Sequence, residues 1–155
     1  MENNTEIKSS PVQRRILWLL VIASRLIVGV TFIFSGFVKA VDPIGSAIKF
    51  DEYFSVFGAG FLSPLSLFFA VILAVFEFLI GINILLGSYR KLSSWLVLLT
   101  MCFMTPLTFY LAIADPVSDC GCFGDALVLT NWETFFKNVF LLIPALFLVR
   151  YNSRV

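Results

Sequence analysis

The sequence predicts an all-α integral membrane protein, a four-helix bundle with a short interfacial helix between its first two membrane-spanning helices. Hydrophobic residues make up 59% of the 155 residues and charged residues only 14%, whereas soluble domains carry about 25% charged residues. The mean hydropathy is +0.96. A surface so poor in charge must be covered by lipid, and four apolar segments are each long enough to cross a bilayer.

We predict a single domain over residues 1–155. Its four membrane helices cover about residues 16–38, 62–87, 92–114 and 132–150. After the first of them, Asp42-Pro43 is a helix-start signal, and apolar residues recur at helical spacing as far as Phe57. This pattern predicts an amphipathic helix over 43–57 that lies on the membrane surface, packs across the mouth of the bundle, or does both.

The charge and the histidine content exclude several classes of function. The formal net charge is +1, so no positive field exists to bind nucleic acid. The chain contains no histidine, which excludes histidine-ligated haem, zinc, copper and iron sites as well as Ser-His and Cys-His nucleophile pairs. We therefore predict no metal centre and no nucleic-acid partner.

The distribution of Lys and Arg predicts the orientation in the membrane. Seven of these residues lie on the side of the two termini, and three, namely Lys39, Lys49 and Lys137, lie on the other side. The positive-inside rule then places both termini in the cytoplasm of a bacterium, with the protein multi-pass in the inner membrane. The residues 39–61 and the cysteine loop 115–131 are expected on the periplasmic side.

The most specific chemistry lies in that loop, at Cys120-Gly121-Cys122. Disulfides form outside the cytoplasm, and a bridge across one intervening residue is strained, oxidising and too short to stabilise a fold. We therefore predict that Cys120 and Cys122 are catalytic in thiol–disulfide exchange. Nearby carboxylates should raise both thiol pKa values, so a thiol of a partner protein is expected to attack the pair.

Two alternatives for the cysteines stay open. Cys120 and Cys122 could instead bind zinc together with Asp119 and Asp125, although carboxylates are minority zinc ligands. The pair could also be inert. The third cysteine, Cys102, lies within the third membrane helix, where a buried role as a small hydrophobic residue is expected.

Two charged residues fall within the predicted membrane helices, Arg25 in the first and Glu77 in the second. Their distances from the cytoplasmic ends of those helices agree within a turn, and an isolated charge in hydrocarbon is costly. We therefore predict that Arg25 and Glu77 face each other, with Asn138 of the fourth helix at similar depth. This buried polar pocket either fixes the helix packing or holds a quinone head group or a proton path.

The chain resembles the DoxX pattern of four-helix membrane proteins and, within it, the MauE-type branch that is associated with redox chemistry. The similarity spans about residues 24 to 150. It rests on the following residues: Arg25-Leu26, Gly29, Phe32, Ser35-Gly36, Lys39, Asp42-Pro43, Glu77, Gly81, Cys120-Gly121-Cys122-Phe123-Gly124, Thr130-Asn131 and Asn138.

The resemblance implies a role beside a thioredoxin-like partner in the maturation of methylamine dehydrogenase, a disulfide-rich periplasmic enzyme. For DoxX proteins it implies quinone-linked respiratory oxidation of sulfur compounds. We therefore expect a membrane thiol–disulfide oxidoreductase that exchanges electrons with a periplasmic thioredoxin-like protein. The alternatives are a quinone-binding or structural subunit of a respiratory quinone oxidoreductase complex, and a non-redox assembly or transport factor. No cofactor is implied with certainty, and a quinone is the candidate.

Overall fold

The computed structural model of the chain describes residues 11–117, 120–123, 126, 127 and 129–152, and within them all regular structure is helical. The elements in chain order are α1 (Pro11–Val41), α2 (Pro43–Val56), a 3-10 helix (Gly60–Leu65), α3 (Ser66–Leu86), α4 (Arg90–Ala114) and α5 (Asn131–Tyr151). Four segments are long and apolar enough to cross a membrane: α1, the 3-10 helix continued by α3, α4, and α5. The predicted all-α class and the four membrane helices are confirmed.

The first membrane helix is longer than predicted. α1 has 31 residues, whereas about 20 residues suffice to cross the hydrocarbon core. Its first residues are polar or charged, so hydropathy alone did not include them. The second predicted helix divides into the 3-10 helix, which contains Pro64, and α3.

Three helix ends have the local chemistry that the sequence indicates. The Asp42 side chain accepts a hydrogen bond from the Gly45 N–H at 2.9 Å, with Pro43 at the first position of α2. Thr130 and Glu133 form a reciprocal capping box at the start of α5. Gly87 ends α3 with a φ of +68°, a backbone conformation that favours glycine.

Close packing of α1 against α3 depends on glycine. A Cβ atom added at Gly36 would lie 2.5 Å from the backbone nitrogen of Phe78, and one at Gly81 would lie 2.7 Å from that of Ile33. Such backbone proximity is typical of small residues at membrane helix interfaces. α4 packs mainly on α5, and a shared core joins this pair to α1 and α3. That core contains Val28, Phe32, Ile80, Val97, Met101 and Leu141.

The short helix α2 lies across one end of the bundle and turns its polar side inward. Ser46 is its buried residue, whereas Ile44 and Ile48 are 67% and 55% exposed. In water this arrangement would be unfavourable, but next to lipid an exposed apolar side is expected. We call the end covered by α2 and the residues after α4 the cysteine end, and the opposite end the Arg25 end.

Candidate functional site

Cys120 and Cys122 lie side by side at the cysteine end. Their Sγ atoms are 2.6 Å apart, and either thiol can donate to the other. Gly121 between them has a φ of +64°, which is the left-handed conformation that lets the chain turn back within one residue. Cys120 is buried and Cys122 is half-buried, so Cys122 is the more accessible residue of the pair.

Hydrogen bonds from two helices hold the backbone of this cysteine pair. The Tyr53 hydroxyl of α2 donates to the Cys120 carbonyl at 2.5 Å. On the other side, Lys39 Nζ of α1 donates to the Cys122 carbonyl at 2.7 Å, and the Ser35 hydroxyl lies at the same distance from it. The position of the cysteines is therefore set by the helices rather than by the loop alone.

Lys39 also forms a buried ion pair with Glu77 of α3. Lys39 Nζ lies 2.6 Å from Glu77 Oε2, and the two side chains are only 5% and 8% exposed. Ser35 Oγ accepts a hydrogen bond from Lys39 at 2.7 Å and lies 2.8 Å from the same carboxylate oxygen. A buried pair stays charged only when such partners satisfy both groups. The pair thus connects α1, α3 and the cysteine loop.

The surroundings favour one thiolate shared within the cysteine pair. The hydrogen bond from Cys120 lowers the pKa of Cys122 to about 7, and the positive charges of Lys137 and Lys39 act in the same direction. The same hydrogen bond, together with burial, raises the pKa of Cys120. Cys122 is therefore the sulfur that deprotonates first, with Cys120 as its hydrogen-bond donor. The expectation that both thiol pKa values would be raised is wrong for Cys122.

An apolar cavity of about 260 Å³ lies directly beneath the pair, and both cysteines line it. Its walls come from all five α-helices and are mostly aromatic or apolar. These wall residues are Phe32, Phe50, Tyr53, Phe54, Phe57, Leu73, Met101, Phe103, Met104, Leu107, Phe123 and Leu141. The polar and charged lining residues are Thr31, Ser35, Lys39, Ser46, Lys49, Glu77, Thr100, Lys137 and Asn138. This composition is typical of a small-molecule site.

Comparison with known proteins identifies the family. The family model described as methylamine utilisation protein MauE matches residues 16–150. The chain belongs to the MauE family. It is also 29% identical over 131 residues to Protein TlpB of Flavobacterium psychrophilum, an alignment that covers 81% of this chain and 36% of the relative. The chain therefore spans about a third of that relative's length, and no solved structure matches it.

The predicted contact between Arg25 and Glu77 is not formed in this MauE-family chain. Arg25 Nε donates to the Asn152 side-chain oxygen at 2.7 Å, and Arg25 lies beside Gly87, where α3 ends. The two residues lie at different depths because α1 continues well beyond the C-terminal end of α3, so equal distances from the helix ends on that side do not mean equal heights. Glu77 instead lies level with Ser35 and Lys39.

Of the other residues considered from the sequence, Asn138 lines the cavity and Cys102 lies on the outer surface of the bundle. Asn138 is buried, donates to Thr108 Oγ1 at 3.2 Å and lines the cavity together with Glu77. Cys102 is exposed on the lipid side of α4, which corrects its expected burial. It lies one residue before Phe103, and the helical rotation of that one residue turns it away from the cavity.

The zinc alternative has no support among the residues that the structure describes. No group of three or more Cys, Asp or Glu side chains within them could hold a metal ion. Asp119 and Asp125, which that alternative requires, lie outside the described residues.

The sequence reasoning missed Lys39, Ser35 and Lys137 as site residues. In the sequence Lys39 counts as a charge of the periplasmic side and, like Ser35, belongs to the residues that carry the family resemblance, but neither is assigned a role in the site. The available signal was its spacing, because Ser35 and Lys39 are four residues apart and share one side of α1. No comparable signal identifies Lys137, whose Nζ lies 4.0 Å from the centre of the Phe123 ring.

Proposed function

We propose that this protein is a thiol–disulfide oxidoreductase of the bacterial inner membrane, in which Cys120 and Cys122 exchange electrons with a periplasmic thioredoxin-like protein. The observation that carries the proposal is the cysteine pair itself, with two Sγ atoms 2.6 Å apart at an end of the bundle. The membership of the MauE family is consistent with a role in the maturation of disulfide-containing proteins. The wider DoxX resemblance stays a prediction.

The order of the exchange steps follows from the different exposure of Cys120 and Cys122. In the oxidised pair, a thiolate of the partner attacks the more accessible Cys122 Sγ, and the Cys120–Cys122 bond breaks. Its electron pair goes to Cys120 Sγ, which takes up a proton. The second partner thiol, as its thiolate, then attacks the partner sulfur that is bonded to Cys122. Cys122 leaves as a thiolate, the partner is oxidised to a disulfide, and this protein is reduced.

The low pKa of Cys122 suits the second step. A thiol of low pKa leaves more readily than one of high pKa, and the cations near Cys122 stabilise the charge it acquires. The largest cause of the raised pKa of Cys120 is the neighbouring Cys122, which acts as a thiolate only while it is free, so the pKa of Cys120 falls when Cys122 is bonded to the partner even though the contribution of burial stays. Cys120 can therefore also leave in the first step.

A quinone-binding or structural subunit of a respiratory complex is the competing proposal. The cavity beneath the cysteines is the observation that favours it. If the protein is a structural subunit, the activity of its complex does not require Cys120 or Cys122. Exchange with a thioredoxin-like protein requires both cysteines. A test of the cysteines therefore separates the two proposals.

The test is to trap the mixed disulfide in intact cells with single substitutions of cysteine. We expect Cys120→Ser to accumulate a mixed disulfide, because the Cys122 thiolate can still attack the disulfide of an oxidised partner while Cys120 is no longer present to displace that partner. Cys122→Ser should abolish exchange. Cys102→Ser is the control, and it should behave as wild type because Cys102 faces away from the pair. Wild-type oxidation of partner substrates in both loop variants would contradict the proposal.

The orientation has its own test. With both termini cytoplasmic, an impermeant thiol reagent applied to intact spheroplasts after gentle reduction should label Cys122. Cys120→Ser/Cys102→Ser is the matched background, because it leaves Cys122 as the one reactive thiol. Labelling that requires a permeabilised membrane would place the cysteine end in the cytoplasm.

A further inference from the structure

The cavity and the cysteine pair form one continuous site. Cys120 and Cys122 make up part of the cavity wall, and Lys137 and Asn138 line the same space from α5. Lys137 is close enough to the pair for its charge to lower the pKa of Cys122. A molecule in the cavity would therefore touch the sulfur atoms from the membrane side, whereas a protein partner reaches them from outside.

The lining indicates the chemistry of the occupant. Aromatic side chains of α2, including Phe50 and Phe54, and methionine and leucine side chains of α4 and α5 provide flat apolar walls. The Lys137 ammonium and the Asn138 amide provide hydrogen-bond donors. A flat ring that carries carbonyl oxygens matches both the apolar walls and these donors, whereas a hydrocarbon chain offers no acceptor to the Lys137 ammonium or to the second N–H of the Asn138 amide.

The size and position of the cavity limit the occupant further. Its volume of about 260 Å³ is slightly below the range of about 300–1,000 Å³ that is usual for drug-sized ligands. The cavity thus fits a ring but not a long tail. Phe57 and Phe103, which also line it, are 54% and 66% exposed on the outer surface. The cavity therefore reaches the lipid-facing side, where an attached tail can remain in the bilayer.

We propose that this cavity binds the ring of a lipid-soluble quinone, and that the quinone oxidises the reduced Cys120–Cys122 pair. The inference rests on the proposed function, because it names the electron acceptor of the same cysteines. It also gives electron flow a direction, from the thioredoxin-like partner through the cysteines to the membrane quinone.

The reaction balances with groups that line the cavity. Formation of the Cys120–Cys122 bond releases two electrons and the proton of the Cys120 thiol. The quinone accepts the two electrons and two protons to become a quinol. One of these protons comes from Cys120, and the other comes from the Lys137 ammonium, which then regains a proton from the periplasm. Lys137 is therefore a proton donor as well as a hydrogen-bond donor to the ring oxygen.

The experiment uses the full chain, reduced and reconstituted in lipid nanodiscs without oxygen. The probes are a short-tailed benzoquinone and a short-tailed naphthoquinone. We expect one quinol to form for each disulfide, measured by absorbance and by loss of alkylatable thiols. Cys120→Ser and Cys122→Ser should each give no quinol, whereas Cys102→Ser should match wild type.

A cavity-filling variant tests the location of the quinone. Met104→Trp replaces an unbranched side chain of the cavity wall with a large ring that fills part of the cavity. We expect quinone-driven oxidation to slow by at least about tenfold, which corresponds to removal of a strong binding contact. The matched control is Leu99→Trp on the same helix, because Leu99 is 60% exposed and does not line the cavity. It should remain within about twofold of wild type.

A second measurement does not depend on folding of a variant. An azido derivative of the quinone, photoactivated on the wild-type protein, should label peptides of α2, α4 or α5 that line the cavity. Excess short-tailed quinone should prevent the labelling. Labelling confined to lipid-facing residues, or a cavity that retains a tightly bound phospholipid and excludes the probe, would overturn the inference.

Failure of this inference is distinguishable from failure of the proposed function. If quinones leave the dithiol unchanged while a thioredoxin-like protein still exchanges with it, only the quinone acceptor is wrong. If quinol forms but no mixed disulfide with a periplasmic protein can be trapped, the acceptor is correct and the partner is wrong. Quinone oxidation that persists at full rate in Met104→Trp would place the reaction outside the cavity.

Discussion

The two ends of the bundle each hold one cation of α1, and they bind it in different ways. At the cysteine end, Lys39 meets the carboxylate of Glu77 and the carbonyl of Cys122. At the Arg25 end, Arg25 donates to the neutral amide of Asn152. Its Nη2 atom is buried without a partner among the described residues. Among the residues that the structure describes, Lys39 meets an opposite charge and Arg25 does not, and Lys39 is the one that also contacts the cysteine loop.

This difference separates a functional cluster from a packing cluster. The Asn152 amide nitrogen lies 2.9 Å from Ser94 Oγ and 3.3 Å from the Arg90 carbonyl, so the Arg25 end connects α1, α4 and α5. It contains no thiol. At the cysteine end the same number of helices is joined, but the network ends on the backbone of a reactive residue. Damage at the two ends should therefore have different consequences.

The largest expected effect is the fall in the free energy of unfolding when one partner of the buried ion pair is removed. Lys39→Met or Glu77→Leu alone leaves the other charge buried and should lower the free energy of unfolding by about 3–5 kcal/mol. The double variant should lose less than the sum, because no lone charge remains. Thermal unfolding in detergent measures all three. Strictly additive losses would show that the two side chains do not interact.

The same variants sharpen the comparison between the two ends. Because Lys39 donates to the Cys122 carbonyl, the double variant should also show altered thiol reactivity of Cys122, even if its stability recovers. An Arg25→Gln variant, which removes one charge at the opposite end, should leave that reactivity unchanged. Equal effects on Cys122 from both ends would remove the distinction between a functional and a packing cluster.

The next effect concerns the close approach of α1 and α3 that brings Glu77 to Ser35. Gly36→Ala adds a methyl group that would lie 2.5 Å from a backbone nitrogen of α3. The helices must separate, which should cost about 1–3 kcal/mol. Gly60→Ala is the control, because no atom lies within 4 Å of its added methyl group. Equal thermal stability of the two variants would contradict this account.

Much of the fold could be predicted from the sequence because it depends on composition and local signals. Membrane helices follow from hydropathy, and the ends at Asp42 and Thr130 follow from capping chemistry that involves only three or four residues. The depth of Arg25 could not be predicted in the same way. It depends on how far α1 extends beyond α3, and polar residues at a helix start do not reveal where the helix begins.

Only part of the candidate site could be predicted from the sequence, because the rest depends on which residues come together in space. The cysteines are identified by their residue type and spacing, without any tertiary information. The spacing of Ser35 and Lys39 places them on one side of α1, but only the folded structure shows that Lys39 and Lys137 lie next to Cys122. The expected shift of its pKa is reversed first by the hydrogen bond from Cys120 and then by the charges of these two lysines, whereas the sequence points only to the nearby carboxylates.

A smaller effect is expected from loss of the amide at the Arg25 end. Asn152→Leu removes the acceptor for Arg25 and the contacts with Ser94 and the Arg90 carbonyl. The unfolding free energy should fall by about 1–3 kcal/mol, the cost of leaving buried polar groups unpaired. Thiol–disulfide exchange of the folded protein should not change. A variant with wild-type stability but impaired exchange would assign the Arg25 end a function.

The smallest expected effect is a shift in the pH dependence of Cys122. Thiolate is the reactive form, so alkylation of Cys122 should slow as the pH falls below about 7 and approach a plateau above it. Removing a nearby cation disfavours the thiolate and raises its pKa. Lys137→Met should therefore move the midpoint to higher pH and lower the rate at neutral pH by a few-fold, on the order of half a pKa unit.

The matched control for this shift again comes from the opposite end of the bundle. Arg25→Gln removes the same charge far from the sulfurs, and its midpoint should coincide with that of wild type. The rate of alkylation by iodoacetamide is measured across the pH range in protein that retains Cys120 and Cys122. Cys102 is replaced by Ser so that its alkylation does not contribute to the signal. A wild-type midpoint near the ordinary thiol value of 9.0 would mean that Cys122 is not held as a thiolate. The contrast between the two ends would then rest on packing alone.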